Sequence, residues 1–148
     1  MNGSGDRTLR LERIIRAPVQ RVYDAWIVPE QLAAWWGPEG VSIPDHAMDV
    51  RPGGKWRTVM KRPDGNTLEV SGVYRTIEKN KLVFTWAWTQ ADGSRGHETE
   101  VTVTFEPVPG GTRLVLVQQV FQSQEQRDNH GKGWASSFDS LEKWIAPA

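Results

Sequence analysis

The sequence predicts an α+β fold in which a curved antiparallel sheet of seven strands wraps around one long C-terminal helix. Three observations support this prediction. From residue 41 to about residue 120 the apolar and polar side chains alternate with a period of two, and turn-forming residues interrupt the alternation. The last stretch has a helical period instead. Before residue 41, one alternating run is followed by two short helical runs, each starting at a proline.

The first strand is predicted over residues 7–15, where side chains alternate along the chain. Leu9 and Leu11 fall on one face of this strand, but the other face also carries an apolar residue, so the inner face is ambiguous. Residues 1–6 are polar and contain glycine, and we expect them to form a flexible N-terminus. Residues 7–148 are expected to form one domain, because a chain of 148 residues suits a single hydrophobic core.

Two short helices are predicted after the first strand. Pro18 suits the first turn of one helix, and Pro29 begins the other. Residues 37–40 read Gly-Pro-Glu-Gly, which is typical of a helix end. The apolar residues that recur at helical spacing are Val19, Val22, Tyr23 and Trp26 in the first helix, and Leu32, Trp35 and Trp36 in the second.

Six strands joined by hairpins are predicted between residue 41 and about residue 120. The turn signals lie at residues 52–54, 62–65, 78–80, 91–94 and 109–111. Alternation assigns an inner face to three strands, formed by Leu82, Phe84, Trp86 and Trp88, by Val101, Val103 and Phe105, and by Leu114, Leu116 and Gln118. The residues expected to face solvent between them are Thr85, Thr102 and Thr104.

The C-terminal helix is predicted from an apolar stripe with steps of four, three and four residues, formed by Trp134, Phe138, Leu141 and Ile145. Trp144 broadens the stripe, and charged residues occupy the opposite side. The sheet is the surface large enough for this helix to cover. A curved sheet closed by a helix leaves a space between them, where we expect a ligand to bind.

Composition narrows the range of functions. Eighteen basic residues balance 18 acidic ones without forming a block of one sign, which argues against nucleic acid or an anionic membrane as a partner. The chain has no cysteine, and His46, His97 and His130 lack a metal-binding spacing, so neither a metal nor another cofactor is expected. The polar start and the lack of a membrane-length apolar run predict a cytoplasmic protein.

The stretch at residues 49–57, DVRPGGKWR, raises the possibility of a phosphate-binding loop. Such a loop places its glycines directly before a helix, whose free backbone N–H groups bind the anion. Here the residues after Gly54 are strand-like instead. The stretch is therefore interpreted as a tight turn whose glycines supply positive φ angles.

Three segments resemble a known family: residues 15–26 (IRAPVQRVYDAW), residues 29–38 (PEQLAAWWGP) and residues 49–57. Together with residues 72–77, 81–86 and 130–134 they resemble the START-like (SRPBCC) superfamily. Within it, the match is to the branch named after the activator of the heat-shock chaperone ATPase. The resemblance implies the helix-grip fold of the birch-pollen-allergen type, with an apolar pocket beneath the C-terminal helix.

The leading functional hypothesis is a domain that encloses a small apolar or aromatic ligand between sheet and helix. Gln118 is expected either to satisfy a buried backbone group or to bind the ligand. His130 is expected at the mouth of the last helix, where it either packs or contacts the ligand. The candidate ligand-binding residues are Trp56, Phe84, Trp86, Trp88, Val103, Leu116, Gln118, His130, Trp134, Phe138 and Leu141.

Two alternatives follow from the resemblance and not from particular residues. One is an interaction module that binds a chaperone and raises its ATPase rate. The other is an enzyme of the cyclase or dehydratase type acting on polycyclic aromatic substrates, although the sequence singles out no catalytic residue. A homodimer formed through a sheet edge or exposed tryptophans is a further possibility.

Overall fold

The computed structural model describes residues 8–37, 40–119, 121 and 123–145, and its order of elements is the predicted one. In chain order the elements are β1 (Thr8–Ile15), α1 (Val19–Ile27), α2 (Pro29–Trp35), β2 (Ser42–Met48), β3 (Lys55–Lys61), β4 (Thr67–Glu78), β5 (Lys81–Trp88), β6 (Thr99–Val108), β7 (Gly111–Gln119) and α3 (Gln124–Ile145). The predicted α+β fold is confirmed. The predicted N-terminus at residues 1–6 lies outside the described residues.

One antiparallel sheet contains all seven strands in the order β1-β7-β6-β5-β4-β3-β2. Neighbouring strands from β2 to β7 are also consecutive in the chain, so hairpins build most of the sheet, as the turn signals predict. Strands β1 and β2 form the two edges of the sheet, so α1 and α2 connect one edge to the other, and β1 pairs with β7, where Leu11 lies opposite Leu116. The three helices therefore cover one face of the sheet.

The inner face of the sheet follows the predicted alternation, with one exception. In β1 the ambiguity is resolved by burial of Ile15, since Ile14 on the opposite face is 44% exposed. Thr85 was expected to face solvent, and that expectation is wrong, because it is only 2% exposed. Its hydroxyl accepts a hydrogen bond from the backbone N–H of Val73 at 2.8 Å, next to the register shift between Tyr74 and Thr76. Val83 and Ala87 on the same face of β5 are buried as well, so this central strand is buried on both faces and alternation does not indicate a solvent side.

Helix α3 begins at Gln124, ten positions before the first residue of its predicted apolar stripe. His130 therefore lies inside the helix and not at its mouth, so that part of the prediction is wrong. The sequence pattern does not indicate the first turns of α3, because these turns are polar, contain two glycines and carry no apolar stripe. Among the described helices, none has the length and apolarity to cross a membrane.

The second part of α3 is firmly attached to the rest of the fold. Its predicted stripe is buried against the core. The guanidinium of Arg13 on β1 donates hydrogen bonds to Asp139 at 2.7 Å and to Glu142 at 3.3 Å. The Arg21 guanidinium on α1 lies 4.4 Å from the ring centroid of Trp144, which is a cation–π contact.

The glycine pair at residues 53 and 54 forms the turn between β2 and β3. Gly53 has a φ angle of 84°, as the turn interpretation expects. Gly54 is required for a different reason, since a Cβ atom there would lie 1.9 Å from the backbone oxygen of Asp49. Strand β3 follows at Lys55, so the helix N-terminus that a phosphate loop needs is not formed.

Candidate functional site

The space between the sheet and the helices is divided into a closed region and an open region. We define the closed region by the aromatic residues that fill it: Trp26, Trp35, Trp56, Phe84, Phe105 and Phe138. We define the open region by the residues that line a cavity: Trp36, Gly37, Val41, Met60, Arg62, Leu68, Trp86, Trp88, Gln126, Asn129, His130, Gly133, Trp134 and Ser137. Trp36 and Trp134 contact both regions, because both their rings also touch Trp26.

The closed region is occupied by aromatic rings in mutual contact. Trp26 of α1 stacks on Trp134 with 6.0 Å between ring centroids and meets Trp35 edge-on at 4.8 Å. Phe105 and Phe138 contact the same indole. A gap of about 10 Å³ remains beside these rings, bordered by Trp56 and Phe84 among others. A volume of this size holds no more than about one water molecule, so no organic ligand fits there.

The open region is a cavity of about 470 Å³ that is partly open to solvent. This volume is within the range of about 300–1,000 Å³ found for small-molecule sites. Indole rings of Trp86 and Trp134 and the side chain of Met60 form its buried inner wall. The exposed residues Arg62, Gln126 and Asn129 lie where the cavity meets solvent. We call these three residues the mouth.

Local structure explains why these residues meet at the cavity. Trp86 and Trp88 are two positions apart on β5, so both project from the same face of the sheet. Helix α3 crosses that face and presents small residues to the cavity, including Gly133 and Ser137. A glycine and a serine leave room where larger helix residues would fill the space. Ser137 also uses its hydroxyl internally, donating to the backbone oxygen of Gly133 at 3.0 Å.

A hydrogen-bond network supports the indole wall of the cavity. Trp88 Nε1 donates to His130 Nε2 at 3.2 Å. Because that ring nitrogen accepts, neutral His130 carries its proton on Nδ1, which lies 3.2 Å from Gln118 Oε1. The same amide oxygen accepts from Trp134 Nε1 at 2.8 Å. Gln118 completes the network by donating through Nε2 to Thr99 Oγ1 at 2.8 Å.

This network decides between the two roles considered for Gln118. The residue is fully buried, and its amide serves three protein side chains. A buried amide with these partners has its hydrogen-bonding capacity largely used within the protein. Gln118 therefore supports Trp134 and His130 from behind the cavity wall.

The electrostatics of the cavity are simple. Burial lowers the pKa of His130 to about 4, so its imidazole is uncharged at neutral pH. Among the described residues that line the cavity, Arg62 is the charged one and none is a carboxylate. The interior is therefore neutral and apolar, and the formal charge at the mouth is positive.

The structure brings four of the eleven sequence-predicted site residues to the cavity wall, namely Trp86, Trp88, His130 and Trp134. Trp56 and Phe84 border the small gap in the closed region, and Gln118 lies behind the wall. The remaining four are buried in the core: Val103, Leu116, Phe138 and Leu141. The reason is that the inner face of the sheet is larger than the cavity, and rings from α1 and α2 fill the rest. Whether any of the eleven binds a ligand stays a prediction.

Sequence reasoning missed several lining residues. Met60 shares an inner face with Trp56 and Thr58, so the alternation of β3 could have identified it. Gly133 could have been identified as a residue that leaves space for the cavity only if the predicted helix had included it. Arg62 carries no sequence signal, because it resembles any charged residue in a hairpin turn. Across the described residues, no group of three or more His, Asp or Glu side chains is placed to hold a metal ion.

Comparison with known proteins establishes the family. The family described as "Activator of Hsp90 ATPase homolog 1-like protein" (AHSA1) matches residues 16–146. The chain belongs to this family. The resemblance proposed from the sequence motifs is therefore confirmed, together with the helix-grip type of fold. No curated protein matches the chain.

Solved structures of similar bacterial proteins share the fold of this AHSA1-family chain. The AHSA1 protein from Silicibacter pomeroyi is 33% identical with a TM-score of 0.83, covering 92% of this chain and 95% of that one. A Chromobacterium violaceum protein is 27% identical with a TM-score of 0.86, covering 96% and 99%. A Nitrosomonas europaea protein is 27% identical with a TM-score of 0.80, covering 95% and 94%.

Proposed function

We propose that this domain binds a small apolar or aromatic molecule in the open region. The observation that carries the proposal is the cavity of about 470 Å³ walled by the indoles of Trp36, Trp86, Trp88 and Trp134. Contact with these rings removes apolar ligand surface from water, which supplies affinity. The polar mouth then orients the ligand, in the manner of other small-molecule sites.

Binding without catalysis fits the chemistry of the wall better than a cyclase or dehydratase. Such a reaction needs a group that exchanges a proton near neutral pH. His130 is the wall residue of the right type, but its lowered pKa of about 4 and its contacts with Trp88 and Gln118 occupy it structurally. The remaining described wall residues supply no carboxylate.

The test is a titration with a neutral aromatic probe, such as 2-naphthamide, followed by tryptophan fluorescence and calorimetry. The variant Gly133→Phe places a ring in the cavity and should abolish binding. Lys132→Phe is its matched control, because it adds the same ring at an exposed position one residue away on α3. If the probe binds Gly133→Phe as tightly as the wild type, or if neither 2-naphthamide nor its carboxylate analogue 2-naphthoate binds the wild type, the proposal is wrong. Circular dichroism would verify that both variants are folded.

Chaperone binding is the competing proposal, and it rests on the family description. An assay with the host's own Hsp90 would show raised ATPase activity if it were correct. The outer face of the sheet carries cross-strand ion pairs such as Arg57 with Asp45 and Glu69, at 2.9 and 2.8 Å. Among the described residues, the exposed large hydrophobic side chain is Ile14, so the described surface offers no exposed aromatic anchor of the kind that tight interfaces use, and ligand binding is the better-supported proposal. A homodimer stays a prediction, which analytical ultracentrifugation would test.

A further inference from the structure

We propose that the ligand is a small aromatic or apolar acid whose carboxylate binds Arg62 at the mouth of the cavity. This inference rests on the proposed function and adds the chemical class of the ligand. It begins from the asymmetry of the site: a neutral, indole-lined interior and an arginine at the opening.

The interior excludes a buried charge on the ligand. Transferring a carboxylate or ammonium group into an apolar space is costly unless an opposite charge or several hydrogen bonds compensate it. His130 is uncharged, and its two ring nitrogens already contact Trp88 and Gln118. A charged group of the ligand must therefore stay at the mouth, while its ring enters the cavity.

The mouth favours an anion over a cation. Arg62 is the charged lining residue, and no ion pair of its guanidinium occurs within the described parts of the chain. The carboxylate nearest to it in sequence, Asp64, is engaged elsewhere, since it accepts hydrogen bonds from the backbone and side-chain nitrogens of Asn66. An arginine with free donors matches a carboxylate through two parallel hydrogen bonds.

The backbone that carries Arg62 is held in place. Its N–H donates to the backbone oxygen of Asn66 at 2.8 Å, and its own oxygen accepts from Gly65 at 2.9 Å. Arg62 therefore starts a closed hairpin turn between β3 and β4, so only its side chain must become ordered when a ligand binds. Asn129 of α3 adds an exposed amide that lines the same cavity. An amide N–H is a second donor for a carboxylate.

The experiment compares two probes of almost equal shape, 2-naphthoate and neutral 2-naphthamide, by calorimetry at low salt. Wild-type protein should bind naphthoate on the order of tenfold more tightly, as a partly exposed charge-assisted hydrogen bond provides. Arg62→Gln should remove this preference by weakening naphthoate binding on the order of tenfold, with a much smaller effect on naphthamide, which carries no charge. Lys61→Gln is the matched control, since it removes an exposed positive charge one residue away that does not line the cavity.

The outcomes separate this inference from the proposed function. Equal affinity of the wild type for both probes, or a preference that survives Arg62→Gln, would overturn the carboxylate assignment while leaving ligand binding intact. Failure of both probes to bind would remove the proposed function and the inference together. Because Arg62 is exposed, its replacement should leave the thermal unfolding midpoint unchanged, which verifies that any loss is local.

Discussion

Trp26 and Trp88 are both tryptophans of the same domain, but they differ in burial and in the residues that lie opposite their rings. Trp26 in the closed region is 2% exposed and touches five other aromatic rings: Trp35, Trp36, Phe105, Trp134 and Phe138. Trp88 in the open region is half-buried, and its side chain lines the cavity. The difference arises from what lies opposite each ring. Helices α1 and α2 send large rings into the closed region, whereas α3 presents Gly133 and Ser137 to the open region.

The two regions differ in how completely their aromatic rings are packed. In the closed region the rings fill the space, so each contact contributes to the free energy of folding. In the open region the same kind of surface is left exposed to a cavity. Under the proposed function, that surface gains further contacts when a ligand enters.

The largest expected effect contrasts the two tryptophans directly. Trp26→Ala should lower the free energy of unfolding by about 3–5 kcal/mol, because it opens a large void among rings that cannot collapse onto it. Trp88→Ala should cost only about 1–2 kcal/mol, since less of its surface is buried. Chemical denaturation monitored by circular dichroism measures both values. Equal losses would show that the division into two regions has no energetic meaning.

The next effect concerns pH and the wall of the open region. Burial lowers the pKa of His130 to about 4, so between about pH 6.5 and pH 4 the unfolded chain binds a proton that the folded protein resists. The contribution of neutral His130 to the free energy of unfolding is therefore complete above about pH 6.5 and is lost as the pH falls towards 4. The loss should be on the order of 3 kcal/mol.

Denaturation of the wild type and His130→Gln at pH 7 and pH 4 would measure this contribution. The variant should show a smaller decrease in stability between the two pH values, because the glutamine does not titrate. Other groups that titrate in this range affect both proteins and cancel in the difference. An identical decrease in the two proteins, or an NMR titration midpoint of His130 near 6.5, would contradict the prediction.

A smaller effect is expected behind the cavity wall. Gln118→Leu removes the acceptor of Trp134 Nε1 and leaves that buried indole N–H unpaired. The expected cost is about 2 kcal/mol in the free energy of unfolding. Gln119→Leu is the control, because the neighbouring side chain is exposed and should change stability very little. If both substitutions have the same effect, the network does not support the wall.

The smallest effect is a gain in stability. Gly133→Ala should raise the free energy of unfolding by about 0.5–1 kcal/mol, since alanine is the better helix former and restricts the unfolded chain. Gly131→Ala should gain less, because its Cβ atom would lie 3.2 Å from Leu9 Cδ1. Thermal unfolding compares the two variants. A loss of stability in Gly133→Ala would show that the glycine is needed for packing and not for the cavity.

The sequence by itself determined the order of elements and the faces that they bury. Periodicity is a local property, so it identified the inner side chains of β5 to β7 and the stripe of Trp134, Phe138, Leu141 and Ile145. It failed where a strand is buried on both faces, as at Thr85, and where a helix lacks an apolar stripe, as around His130. The resemblance of a few motifs identified the family for the same reason: the motifs are short and local.

Only the tertiary structure decided which part of the inner face remains open. Alternation predicts that Trp56 and Trp86 point inward, but it does not predict how far the rings of α1 and α2 extend across the sheet. It also gave no reason to place Arg62 beside an apolar cavity, because that neighbourhood is formed by β3, β5 and α3, which are distant in sequence. The fold follows from patterns along the chain, whereas the cavity follows from the volumes that remain after packing.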